Sequence, residues 1–226
     1  SYRNLFHKES GFFRPKNDKG EWVEPFDPLS YEEPCFIEGN AWQYMWFVPH
    51  NPQGMIDLFG GTKNFIQKLD ENFTLTATSG ERNGNASGFI GQYAHGNEPS
   101  HHTVYLYNFA GKPSRTQELV HQVRSSFYNA TPCGYAGNDD CGQMSAWYIF
   151  SALGFYPFNA GSAEYVIGTP LYKKATLHLA GGKDFVINAP NKTDERIYVK
   201  KVKLNGKPLT DLKISHQQIM AGGTLD

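Results

Sequence analysis

GNDDCGQMSAWYIFSALGFYP, residues 137–157, is the stretch on which the fold turns. The turn-prone pair Gly137-Asn138 leads into Asp139 and Asp140, and the segment 144–153 beyond them is apolar on nearly every face. The acidic pair is therefore expected where a buried helix begins, at the positive end of its dipole. Gly154 is a natural helix stop, and Pro157 lies just past it. A surface helix has no use for Met144, Trp147, Ile149, Phe150 and Leu153 together, whereas a central helix can carry carboxylates into a pocket. Taken alone, the stretch favours a blander reading in which Asp139 and Asp140 only cap a core helix.

Working back from it, Pro113 opens a helix with Leu119, Val120, Val123 and Phe127 on one stripe. The loop before that places Gln92, His95, Asn97, Glu98, His101 and His102 just ahead of an aromatic helix over 100–109. Oxygen donors from Asn, Gln and Glu suit a hard cation such as calcium, while the histidines suit zinc; the spacing matches neither an EF-hand nor HExxH. Residues 77–91, rich in Ser, Gly and Asn, read as an irregular loop. Earlier still, Asn40 is placed to cap a short helix bearing Trp42, Tyr44, Met45, Trp46 and Phe47. Asn51 with Pro52 starts a second helix, and Thr62 is expected to cap a third with Phe65, Ile66, Leu69 and Phe73 at helical spacing. Glu38 stands in the loop before the aromatic helix, where burial beside Ile37 favours a protonated acid; the plain alternative is a capping carboxylate. Residues 1–28 form a loop-rich entry with a helical turn around 4–6.

Past Pro157 the period changes to that of strands, at 165–168, 175–179, 185–189, 197–204 and 212–215, with Asn205-Gly206 as a strong hairpin signal. The fold class is thus α+β, mainly α first, with a helical part over 1–162 and a β-rich subdomain over 163–226. About six helices are too few to close a helical toroid, so the chain reads as a piece of something larger.

The 226 residues, 39% hydrophobic and 15% aromatic, suffice for a sizeable core. A net charge of -1 leaves no basic footprint for nucleic acid or an anionic membrane. No run approaches the roughly 20 apolar residues of a membrane span. No signal-like leader precedes Ser1. Cys35, Cys133 and Cys141 lack CxxC spacing, so one free buried thiol and one possible pair are expected. Sequons begin at Asn72, Asn85, Asn129 and Asn191, and would be glycan acceptors in a eukaryotic secreted protein.

Three blocks, EGNAWQYMWFVPH (38–50), YAHGNEPSHH (93–102) and GNDDCGQMSAWYIFSALGFYP, in that order closely resemble the hallmark motifs of glycoside hydrolase family 92, the calcium-dependent exo-acting α-mannosidases. The entry NLFHKESGFFRP and the tail around KVKLNGKPL also look like that family. The resemblance implies a β-sandwich followed by an (α/α)6 toroid and a strand-rich portion, this chain being the C-terminal third or so without the N-terminal β-sandwich. It implies Glu38 as general acid and Asp140 as general base. Where some members carry an assisting Asp, this chain has Asn138, which can still orient water. It sets Asn97, Glu98 and Gln92 beside calcium, and His95, Glu98 and Trp42 at the sugar. A mannose-containing glycan substrate and a secreted or periplasmic location follow from the same resemblance. Two other classes stay open: a non-catalytic carbohydrate-binding or scaffold member, and an unrelated metal-dependent hydrolase using His95, His101 and His102.

Overall fold

The structure, a computed structural model, describes residues 1–32, 35–79 and 86–226. The sequon at Asn85 and part of the loop expected over 77–91 lie outside the described residues. Helices and strands both contribute, and the chain resolves into two compact units, Ser1–Thr103 with Asn129–Asp139, and Val104–Tyr128 with Asp140–Asp226. The helices from 104 onward are thus grouped with the strands, on both sides of the boundary expected at 162.

The first unit holds strands β1 (Phe6–His7) and β2 (Phe12–Phe13), helices α1 (Ala41–Tyr44), α2 (Pro52–Leu58) and α3 (Thr62–Thr74), and strands β3 (Phe89–Ile90) and β4 (Tyr93–Ala94). Asn40 caps α1 through a capping box with Gln43, and Asn51 caps α2 with Pro52 inside its first turn. The cap of α3 is Gly61 at φ 113 rather than Thr62, which is the first helical residue. The α3 stripe of Phe65, Leu69 and Phe73 is buried as its spacing requires. Around it, Trp46 stacks on Phe59 at 6.0 Å and meets Phe65 edge-on at 5.7 Å.

The second unit begins with α4 (Leu106–Phe109), α5 (Pro113–Phe127) and α6 (Gln143–Leu153). The aromatic helix expected over 100–109 is broken into 3-10 turns at Glu98–Ser100 and Thr103–Tyr105 before the single turn of α4. Helix α6 ends at Gly154 in the left-handed conformation, φ 93, as its glycine stop requires. Its start corrects the reading of the acidic pair as a cap: Gly142 occupies the cap position and no acidic residue stands in the first turn. Nor is α6 buried all round within this chain. Met144 and Trp147 are buried, while Ile149 is 57% exposed.

Strands β5 (Phe155–Asn159), β6 (Glu164–Ile167), β7 (Lys174–His178), β8 (Asp184–Asn188), β9 (Lys203–Leu204), β10 (Lys207–Pro208), β11 (Lys213–Ser215) and β12 (Gly223–Leu225) follow, with a short helix α7 (His216–Met220) before the last. They form a five-stranded sheet in the order β10-β9-β12-β8-β7 and a three-stranded sheet β11-β6-β5. The hairpin at Asn205-Gly206 joins β9 and β10 in antiparallel pairing. β5 escapes notice in sequence because Pro157 reads as a helix stop; Pro157 lies where the register slips, so its missing N–H breaks no ladder bond. The strand expected over 197–204 pairs only at Lys203–Leu204. Ahead of it, Ile197 O accepts the Thr169 hydroxyl and Val199 N–H donates to Gln117 Oε1, so side chains take what a ladder would have used. Phe155, Ile167, Phe185, Ile187, Val202, Ile214, Ile219 and Leu225 form the apolar core among these strands. Arg124, buried on α5, donates to Ser151 O at 2.7 Å and Thr169 O at 2.9 Å, capping the carbonyl end of α6 with a cation.

The cysteine expectation fails in one respect. No disulfide joins Cys35, Cys133 and Cys141, and all three are exposed, so none is a buried thiol. Asn72 is buried at 1% exposure, which leaves no room for a glycan on it in the folded state.

Candidate active site

Glu38 sits on a backbone that resists it. Its φ is 56, in the left-handed region where a Cβ crowds the following carbonyl, at a strain of about 1–3 kcal/mol. Its carbonyl accepts from Asn97 Nδ2 at 2.9 Å, while the carbonyl of Ile37 accepts the Tyr44 hydroxyl at 2.5 Å. Burial, and then the charges of Glu38 and Glu98, raise the pKa of that phenol, so both carboxylates lie within electrostatic reach of it. The expected burial of Glu38 is not found within this chain: Glu38 is exposed and Ile37 is 67% exposed.

Behind the loop lies a buried amide knot. Asn40 N donates to Gln43 Oε1 at 2.6 Å, Gln43 Nε2 donates to Gln92 O at 2.6 Å, and Asn40 Nδ2 donates to Gln92 Oε1 at 3.2 Å. Gln92 Nε2 in turn donates to the carbonyls of Leu75 and Ala77. Gln92 is 1% exposed and serves as the tether between the Glu38 helix and the acceptor loop, leaving one Oε1 lone pair for anything else. Asn97, its Nδ2 engaged by Glu38 O, keeps its own oxygen for another partner, and Glu98 is half-buried beside it.

Close glycine contacts bring the third block in. A Cβ on Gly96 would stand 2.0 Å from Ser87 Oγ and 3.3 Å from Ala136 O, and one on Gly137 would meet Gly96 O at 3.2 Å. The loop carrying Asn138 and Asp139 therefore lies directly on the one carrying His95, Asn97 and Glu98, at an approach that a side chain on either glycine would crowd. Asp140 comes next in the chain, at φ 47, followed by Cys141 at φ 58. Asp140 is exposed, and its carbonyl accepts from Gln143 N at 3.2 Å.

The histidines are structural in their local contacts. Tyr93 OH and His95 Nδ1 are 2.7 Å apart, His101 Nε2 donates to His95 O at 2.7 Å, and His102 Nε2 donates to Trp46 O at 2.7 Å. Burial, with His101 adding to it, holds His95 well below the ordinary imidazole range, and burial pulls His102 down to about 4. Among the described residues no three His, Cys, Asp or Glu side chains gather to hold a metal ion, which gives the zinc reading no support. Trp42, expected at the sugar, is only 4% exposed: the Lys68 ammonium lies 3.8 Å over its ring, and Phe12 meets it edge-on at 5.0 Å. A cavity of about 700 Å³ in the second unit is bordered by Ile167, Ile187 and Tyr198 but by none of the candidate residues, so it has no part in this chemistry.

The family model for the glycosyl hydrolase family 92 catalytic domain matches residues 1–226, the whole chain. The chain belongs to glycosyl hydrolase family 92. A family 92 α-mannosidase from Bacteroides thetaiotaomicron, solved in complex with mannoimidazole, is 37% identical and superposes over 99% of this chain and 30% of its own, with a TM-score of 0.93. A family 92 inverting mannosidase from the same organism is 42% identical over 99% of this chain and 32% of its own, with a TM-score of 0.87. An uncharacterized secreted glycosidase from Arthroderma benhamiae is 29% identical across 96% of this chain and 28% of its own length. The chain thus spans less than a third of each of these family 92 relatives.

Proposed function

We propose that the full-length protein containing this chain hydrolyses terminal α-mannosidic bonds in glycans by single displacement with inversion, Glu38 acting as general acid and Asp140 as general base. One observation carries the reading: both residues stand at positive φ on motif loops of a family 92 chain. Strained non-glycine backbone of this kind persists where the surroundings over-determine it, and functional sites are where it concentrates. Glu38 protonates the departing glycosidic oxygen while Asp140 takes a proton from the water that attacks the anomeric carbon from the other face. Inversion requires roughly 6.5–9.5 Å between the two carboxyl groups, enough to admit that water. Asn138, amide where a second carboxylate would add negative charge, orients the water by hydrogen bonding and leaves proton removal to Asp140.

Asn97 Oδ1 and the Glu98 carboxylate are hard oxygen donors on one loop and would hold a calcium ion; Gln92 adds to them only through the lone pair its tether leaves. When bound, calcium supplies an oxygen-binding Lewis acid that fixes vicinal hydroxyls of the sugar. Glu98 and the loop at His95 contact the mannose, and Trp42 supports that surface from beneath. The helices complete an (α/α)6 toroid with the remainder of the protein, an N-terminal β-sandwich closes the sugar pocket, and the protein is exported, in keeping with the fungal relative described as secreted.

The test is digestion of a panel of defined α-mannosides by the full-length protein, with and without exhaustive chelation, reading the first-formed anomer by NMR. Released β-mannose, abolished by chelation and restored by calcium, is the expected result. Initial release of α-mannose would refute inversion, and undiminished activity after chelation would remove calcium.

A further inference from the structure

Tyr44, at the end of α1, is not used by the chemistry above. Its hydroxyl reaches back across the loop to the Ile37 carbonyl at 2.5 Å, and Asn97 Nδ2 takes the Glu38 carbonyl at 2.9 Å. These two carbonyls belong to the peptide planes on either side of the Glu38 Cα. Because each peptide is planar, holding the two planes at once constrains φ and ψ together, and with them the direction of the Cα–Cβ bond. Gly39 eases the phenol's approach, since a Cβ there would stand 3.1 Å from both the Tyr44 ring and Gln43 Oε1 and would crowd them. Phe36 backs the phenol at 5.5 Å between ring centroids. Removing the hydroxyl takes away one restraint against relaxation of Glu38 from φ 56 toward the negative φ that a non-glycine residue prefers.

We propose that Tyr44 is a positioning residue for the general acid: its hydroxyl holds the peptide preceding Glu38 in the left-handed turn and so aims the carboxyl at the departing oxygen. The proposal rests on Glu38 being that acid. It separates Tyr44 from an ordinary packing residue, because only the step that needs a proton donor depends on it.

The experiment compares wild type, Tyr44→Phe, Glu38→Ala and the double variant of the full-length protein on an α-mannobiose and on 2,4-dinitrophenyl α-mannoside, whose leaving group departs without protonation. For Tyr44→Phe, kcat on the mannobiose should fall about ten- to a hundredfold, while kcat on the activated mannoside stays within about twofold and KM is unchanged on both. In the double variant the mannobiose loss should equal that of Glu38→Ala alone, since a residue acting through another adds nothing once its client is gone. Equal loss on both substrates in Tyr44→Phe, no loss on either, or a further loss in the double variant overturns the proposal. If Glu38→Ala itself weakens both substrates equally, the acid assignment fails and this inference falls with it.

Discussion

Acid should unfold this protein partly through one imidazole. His102 is 5% exposed, bonded to Trp46 O at 2.7 Å and set edge-to-face with Phe47 at 5.6 Å between ring centroids, and its pKa is held at about 4 against an ordinary 6.5. A folded-state pKa below the unfolded one means that the unfolded chain binds more protons, so stability is complete above pH 6.5 and is lost as pH falls toward 4. The full displacement is worth about 3 kcal/mol, and the part lost between pH 7 and pH 5 is about 2 kcal/mol. His102→Gln keeps an amide donor for Trp46 O and cannot titrate. The assay is urea unfolding of the full-length protein at pH 7, 6 and 5, followed by tryptophan fluorescence, with the imidazole titrated by NMR. Wild type should lose about 2 kcal/mol more than His102→Gln over that interval, other groups cancelling in the comparison. Parallel losses in the two proteins, or an imidazole that titrates near 6.5, would refute the argument that burial keeps this ring neutral.

The catalytic pair separates by leaving group. Glu38→Ala should lose about 10²–10⁴-fold on natural mannosides and far less on a dinitrophenyl mannoside, whereas Asp140→Asn should lose about as much on both, which steady-state kcat values decide. Asn40→Ala removes the α1 cap and the bond to Gln92 at one stroke, and should lower stability by about 2 kcal/mol in chemical denaturation with the slope unchanged; a loss under about 0.5 kcal/mol would mean that the amide knot contributes nothing.

Much of the local structure is written in short-range signals. Asn40, Asn51 with Pro52, Gly154 and Asn205-Gly206 act through backbone geometry and bonds spanning a few residues, and each ends or begins an element where its chemistry says it should. Pro157 and residues 197–202 mislead for a related reason: strand pairing there depends on partners from other segments, which no local period encodes. The acidic pair at 139–140 misleads as well, since Gly142 starts α6 and frees both carboxylates from capping it.

The sequence alone determined family membership, the helix-then-strand order, and the blocks that carry Glu38, Asn97, Glu98 and Asp140, because motif identity and residue propensity are local properties of the chain. Only the tertiary structure decided how those blocks are held. The left-handed turn at Glu38 is secured by Asn97 from 59 residues away, Gly96 and Gly137 meet at an approach that a Cβ would crowd, and burial neutralises His102. Contacts between distant segments, and the loss of water that comes with them, exist only once the chain has closed on itself.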